Sequence, residues 1–251
     1  METETKNQAK NEFNLDVAEM ARAGLCFGHR SSQVHPKMKP YLQGVKNTIH
    51  IIDLEKTIEK FTEALKFIPE LISEGRIILL VGTKIQIKDL VENIAKLCGL
   101  PYVTQRWLGG TFTNFEIIKK RVQHLKELEE KKEKGELEKY TKKEKIKINH
   151  ELQKLKIKFE GIKNLNCLPD AVFVCDMKKD YLAVKEARGR GIKVIGIADT
   201  NVDPNLADYP IPASDDAISS VKYILEKVKE VILKAKSESL KSTKSQAPNS
   251  K

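Results

Sequence analysis

From Arg22 to Lys46 the chain reads RAGLCFGHRSSQVHPKMKPYLQGVK, and its charge is all of one sign. Arg22, Arg30, Lys37, Lys39 and Lys46 supply cations, His29 and His35 imidazoles, Phe27 and Tyr41 rings, with no Asp or Glu among them. Such a surface segment repels itself until an outside polyanion balances it, and nucleic acid is the usual candidate. A solvated basic loop is the competing reading. A second carboxylate-free stretch, TQRWLGGTFTNF from Thr104 to Phe115, favours the first. Arg106 offers a planar fork of donors suited to phosphate or a guanine edge. Gly109 and Gly110 let a backbone come close and present N–H groups, and Asn114 adds a neutral hydrogen-bonding side chain. Trp107, the single tryptophan, reads either as a stacking surface or as core.

Other constellations fail on spacing. VGTK, Val81 to Lys84, sets Gly and Lys between a strand and a helix, but a Walker loop needs GxxxxGK[ST] so that successive N–H groups wrap the phosphates. Lys84 remains a candidate cation for an RNA backbone. GRG at Gly189 to Gly191 ends a helix, whereas a dinucleotide fingerprint opens one. Cys26, His29 and His35 lack a fourth ligand and match no structural zinc spacing. Asp199 and Asp203, with Asp215 and Asp216, could gather at strand ends around a hard cation such as magnesium. The competing account has Ser214, Asp215 and Asp216 capping the last helix. No Ser/His/Asp or paired-carboxylate arrangement has spacing support, so the chain reads as a non-enzyme without cofactor or small-molecule substrate. The rival is a doubly wound α/β enzyme acting on a nucleotide or sugar phosphate near Gly82 and Asp199.

The elements that must carry these residues alternate. FNLDVAEMARAG is a short helix closed by Gly24, and the basic stretch follows as a loop broken by Pro36 and Pro40. Ile49 to Asp53 is a short buried strand, and a helix follows with apolar positions Ile58, Phe61, Leu65, Ile68 and Ile72. RIILLVGT has an unbroken apolar centre, as in a sheet covered on both faces. Helix IQIKDLVENIAKLCG and strand LPYVTQ come next. AVFVCD, a helix around YLAVKEARGRG, KVIGIAD, a short edge strand YPIPA and a closing helix AISSVKYILEKVKEVILKAK continue the rhythm. Alternation of this kind gives right-handed crossovers, a parallel sheet with helices on both faces, and sites at the carboxyl ends of the strands.

The rhythm breaks between Trp107 and Ile162. Phe115, Ile118, Val122 and Leu125 form one apolar series, and Ile148, Leu152, Leu155, Phe159 and Ile162 another, at heptad spacing on either side of Gly135. They predict an antiparallel coiled-coil hairpin. It carries 15 Lys+Arg against 8 Glu between Lys119 and Lys158. The expected organisation is an α/β domain over 13–106 and 163–236, the hairpin over 107–162, and disordered tails at 1–12 and 237–251.

Composition agrees with an acidic partner. The 251 residues contain Lys+Arg 45 and Asp+Glu 35, a net charge of +10. No apolar run reaches the roughly 20 residues of a membrane helix, and the polar N-terminus resembles neither a secretory signal nor a transit peptide. The dispersed cysteines Cys26, Cys98, Cys167 and Cys175 read as reduced thiols in a cytosol-like compartment.

Taken together, AGLCFGHRSSQVHPKMKPYLQGVKNTIHIIDLEKT, VGTK, RWLGGTFTNF, LPDAVFVCD, KEARGRGIKVIGIADTNVDP and IPASDDAI resemble the family of the bacterial-type second protein of the small ribosomal subunit. The resemblance runs from about Leu15 to about Lys234. It implies a flavodoxin-like domain with a protruding coiled-coil hairpin, and a structural role on small-subunit rRNA at the junction of head and body. It also implies help in recruiting the large first small-subunit protein, which handles mRNA, among other ribosomal proteins as partners. A cytoplasmic ribosome is the expected location, an organelle-encoded one the alternative. Departures from the family pattern are Cys26 where a histidine is common, His35 where asparagine is frequent, and IQIKD after VGTK.

Overall fold

Four apolar runs and one two-residue strand pair as a parallel sheet in the computed structural model, which describes residues 13–245. Its strands are β4 (Ile78–Val81), β5 (Tyr102–Val103), β6 (Ala171–Val174), β7 (Lys193–Ala198) and β8 (Tyr209–Pro212), in the order β5-β4-β6-β7-β8. Every pairing among them is parallel, with Ile78 opposite Ala171, Val172 opposite Val194 and Ile197 opposite Ile211. Side chains alternate across a strand, and both faces of this sheet are apolar. Leu80, Phe173, Ile195 and Ile197 pack with residues of α2 (Leu54–Ser73), α3 (Lys88–Cys98) and α7 (Ile218–Ser245). Leu79, Val81, Val172, Val174 and Val194 pack with α6 (Tyr181–Gly189), Trp107 and Phe112. Crossover connections therefore leave helices against both faces, as the alternation requires.

Local signals set the helix ends. Helix α1 (Val17–Ala23) starts at Asp16, whose carboxylate accepts the Ala18 N–H at 3.0 Å, and stops at Gly24. Helix α2 starts at Asp53, which accepts from Glu55, and it buries the predicted Ile58, Phe61, Leu65 and Ile68. Between β5 and β6 lie α4 (Phe115–Glu133) and α5 (Lys142–Phe159), opened by a reciprocal Thr141/Glu144 capping box. Their apolar series are inside: Ile118, Val122, Leu125, Leu152, Leu155, Phe159 and Ile162 are all buried. None of the helices in the described residues is long and apolar enough to cross a membrane.

Three expectations need correction. The basic stretch is not an irregular loop, and Ile49–Ile52 is not part of the parallel sheet. Strands β1 (Phe27–Arg30), β2 (Leu42–Lys46) and β3 (Ile49–Ile52) form a separate antiparallel sheet in the order β1-β3-β2. The β2–β3 connection is the two-residue turn Asn47–Thr48, with φ of 49° and 65°. Positive φ at both positions matches the twist of a tight hairpin. Threonine is a poor residue for that conformation, which is why the sequence carries no obvious hairpin signal. The third correction concerns the C-terminus: α7 continues to Ser245, through residues 237–245 that were expected to be disordered. No Gly or Pro interrupts SESLKSTKS before Pro248, so the helix has no stop signal there. The remaining tail expectations, 1–12 and 246–251, lie outside the described residues.

The small sheet docks on the carboxyl ends of the large one. His35 N–H donates to Thr200 O at 2.7 Å, His29 N–H to Thr200 Oγ1 at 2.9 Å, and Ser214 N–H to Leu25 O at 3.0 Å. Gly28 makes this approach possible, because a Cβ there would lie 2.3 Å from Thr200 Cγ2 and 3.2 Å from His50 O. Gly28→Ala is therefore expected to cost about 1–3 kcal/mol by overpacking in urea unfolding. Gly44→Ala, at a position with nothing within 4 Å, should stay within about 0.5 kcal/mol. Equal effects of the two would contradict the docking account.

Candidate nucleic-acid interface

The strand ends carry a charge cluster rather than an open phosphate site. Lys84, three residues beyond β4, places Nζ 2.7 Å from Asp215 Oδ1, 2.9 Å from Asp176 Oδ2 and 2.9 Å from Asp216 Oδ1. It also donates to Asp215 O at 3.0 Å. His29, brought in by β1, sets Nδ1 3.2 Å from Asp199 Oδ2 and Nε2 3.3 Å from Asp216 Oδ2. Four carboxylates thus face two cations, and the surplus negative charge falls on the most enclosed members. Burial pushes Asp215 up to about 7, helped by the charges of Asp176 and Asp199. The hydrogen bond His29 donates to the Asp199 carboxylate raises it above the usual histidine value against the opposing effect of burial. Burial pulls Lys84 down, but its bonds to Asp215 and Asp176 outweigh that and hold the ammonium charged.

A second buried carboxylate orders the Thr104–Phe115 turn. Glu186, on the inner face of α6, accepts N–H groups from Gly110 at 2.7 Å, Phe112 at 2.9 Å and Thr113 at 3.2 Å. Trp107 Nε1 and Thr113 Oγ1 each approach it at 3.4 Å. Gly110 holds φ at 93° so that its N–H can aim inward. Trp107 is buried and meets Phe112 edge to face, ring centroids 4.8 Å apart. Sequence reasoning missed Glu186. Its signal was present: it occupies the apolar side of a helix with Ala183, Val184 and Ala187, where an acid needs internal donors.

The expected contact residues divide accordingly. Lys84, His29, Trp107 and the Gly110 N–H are engaged inside the protein. Lys37 is exposed but pairs with Asp203 at 2.7 Å. Arg22, Arg30, Lys39, Lys46, Arg106, Gly109 and Asn114 are exposed and Tyr41 is half-buried. Arg30 ends β1 and Lys46 ends β2, paired with the same residue of β3, Ile49. Asn114 precedes α4 without capping it through its side chain, so the amide faces outward uncommitted to the helix. Asp215 and Asp216 turn to Lys84, in place of the expected role at the start of α7. His29, Asp199 and Asp215 each bring a ligand atom within 4.8 Å of the others. That mixed nitrogen and oxygen set suits a zinc-type ion better than the all-oxygen shell of magnesium. Cys26 and His35 are not in this grouping.

These features define a doubly wound α/β protein with no catalytic constellation assembled among the described residues. A family model described as Ribosomal protein S2 matches residues 20–235. The chain belongs to the ribosomal protein S2 family, whose members are non-enzymatic proteins of the small ribosomal subunit acting in translation. It is similar to "Small ribosomal subunit protein uS2" of Dictyoglomus thermophilum, 47% identical over 220 residues, covering 88% of this chain and 89% of that one. The protein of the same name from Koribacter versatilis is 45% identical over 219 residues, covering 87% of this chain and 73% of that one.

Two outcomes follow from the buried charges. His29 takes up its proton more readily folded than unfolded, so its stabilisation is complete below about pH 6.5 and is lost as pH rises through the higher folded value. Asp215 has the same sign: between roughly pH 4 and about 7 the folded chain keeps a proton that the unfolded chain has released. Thermal unfolding in EDTA should therefore show a lower midpoint at pH 8 than at pH 6, with a smaller drop in His29→Gln. Separately, Glu186→Ala leaves several inward N–H groups without an acceptor and should cost roughly 3 kcal/mol in urea unfolding. Glu186→Gln, which keeps one acceptor oxygen, should cost less; equal losses would contradict the hydrogen-bond account.

Proposed function

We propose that this protein is a structural constituent of the small ribosomal subunit that binds rRNA where head and body join. It also helps seat the neighbouring large ribosomal protein that handles mRNA. The observation that carries this reading is the arrangement of charge: Arg22, Arg30, Lys39, Lys46 and Arg106 are exposed, while the nearby carboxylates Asp176, Asp199, Asp215 and Glu186 are buried. Membership of the ribosomal protein S2 family supports the ribosomal setting. The proposed RNA face comprises those five cations with Tyr41, Gly109 and Asn114. His29 ties the small sheet to the strand ends, Lys84 holds the aspartates there, and both act on RNA only through that support.

Helices α4 and α5 are proposed as the two arms of an antiparallel coiled coil that serves as a positively charged outrigger. Their buried apolar series support it, as do the His124–Glu151 contact at 3.3 Å and the Glu129–Lys156 ion pair at 2.8 Å, which join the two helices.

Phosphate contacts make affinity salt-dependent, with a log–log slope of about −0.7 to −0.9 per phosphate neutralised. For roughly six contacts, affinity for small-subunit rRNA should fall several hundred-fold or more between ~50 and ~200 mM salt. Replacing Arg30, Lys39 and Lys46 together by Ala should reduce the slope by about 2 and lower cosedimentation with small subunits, leaving the melting temperature nearly unchanged. A flat salt response would refute the electrostatic reading. Equal loss of stability and incorporation would make the small sheet a scaffold only.

A further inference from the structure

Beyond the two carboxylate-free stretches, helix α6 presents a third cationic surface. Tyr181, Lys185 and Arg188 stand at i, i+4 and i+7, one stripe of a helix. All three are exposed, Tyr181 at 49%. Lys178, just before the helix, is exposed as well. Written as sequence, this region reads as mixed charge, because Asp180 and Glu186 lie among the cations. In the fold both acids turn inward. Asp180 is 3% exposed and accepts from Thr83 N at 3.2 Å and Thr83 Oγ1 at 2.8 Å. Glu186 is 6% exposed and serves the Gly110–Thr113 turn. The exposed side chains of the helix are then cations, the Tyr181 ring and Leu182, with no carboxylate among them. Among the described residues neither Lys178 nor Lys185 has a salt-bridge partner, and Arg188 donates only to a carbonyl, Asn205 O, at 3.4 Å.

This face is continuous with the Arg106 turn. Leu182 Cδ2 lies 3.6 Å from where a Cβ on Gly109 would be, Arg190 donates to Thr113 O, and Glu186 joins α6 to the turn from beneath. A polyanion lying on Arg106 and Asn114 would run onto α6 without meeting an exposed carboxylate of either segment.

We propose that the outer face of α6 is a further RNA-binding strip, in which Lys178, Lys185 and Arg188 hold phosphates and Tyr181 stacks on an unpaired base. The inference rests on the rRNA-binding reading above and extends it to residues outside the two basic stretches. Stacking on an exposed ring is tolerant of sequence and is the usual complement to a phosphate-tracking stripe. An exposed Tyr is suited to it because the ring is held by two dihedrals only.

The test uses the full-length chain and small-subunit rRNA transcribed in vitro. Lys178→Ala/Lys185→Ala/Arg188→Ala should reduce the log–log salt slope by about 2 and weaken binding at least tenfold at ~100 mM salt. Tyr181→Ala should weaken binding about tenfold, and Tyr181→Phe should stay within about twofold of the native chain. Melting temperatures should not change, since all four positions are exposed. An unaltered slope in the triple variant, with the native chain still binding in a salt-dependent way, would overturn this inference alone. Equal losses in Tyr181→Phe and Tyr181→Ala would overturn the stacking role. Full rRNA affinity with reduced incorporation into subunits would overturn it in favour of an acidic protein neighbour. A flat salt response of the native chain would remove both this inference and the reading it rests on.

Discussion

A carboxylate taken out of water must find donors or a counter-cation, and at the carboxyl edge of the parallel sheet five of them do. Asp176, Asp180, Glu186, Asp199 and Asp215 are all at most 6% exposed. In order, they are held by Lys84 with the Lys178 and Lys179 N–H groups, by Thr83, by the Gly110–Thr113 turn, by His29 and Thr200, and by Lys84 again. Losing these donors would leave buried polar groups unpaired, which ties the loops at this edge to one another. The same constraint decides what faces outward. With acids drawn in, the surface above them is populated by arginine and lysine.

The lysines of α2 and α7 show the contrast. There Lys60 pairs with Glu63, Lys222 with Glu226 and Lys227 with Glu230 along the same helix. Pairs of that kind stabilise an exposed helix by a few tenths of a kcal/mol and leave little net field. The strand-end face keeps much of its field because five of its acids are buried, and the exposed one, Asp216, is paired with Lys84 and His29. Charge distribution, more than total charge, thus distinguishes the surface proposed for RNA from the rest of a basic protein.

Much of this architecture was legible. Unbroken apolar strands alternating with amphipathic helices define the parallel sheet, and even the edge strand Tyr209–Pro212, with its two prolines, follows from position. The antiparallel sheet did not declare itself. Its strands are short, β1 and β2 each contain a glycine, and its hairpin uses Asn47–Thr48 where Asn-Gly would be the readable form. In the candidate site, residue type was visible but orientation was not. Lys84 and Arg106 are equivalent as letters, yet one is enclosed by three aspartates and the other is exposed. The partners that separate them lie up to 132 residues away in the chain, beyond any local pattern. Trp107 reads from sequence as either a stacking surface or core, and the fold decides for core, burying it against Phe112 and near Glu186.

Cross-linking within assembled small subunits tests the central claim most directly. Ultraviolet irradiation followed by mass spectrometry of the protein's peptides would locate nucleotide adducts residue by residue. The account predicts adducts on peptides containing Arg22 to Lys46 and Arg106 to Asn114, the two outward cationic segments. Adducts confined to the outer faces of α2 and α7, where lysines are paired with glutamates, would contradict it.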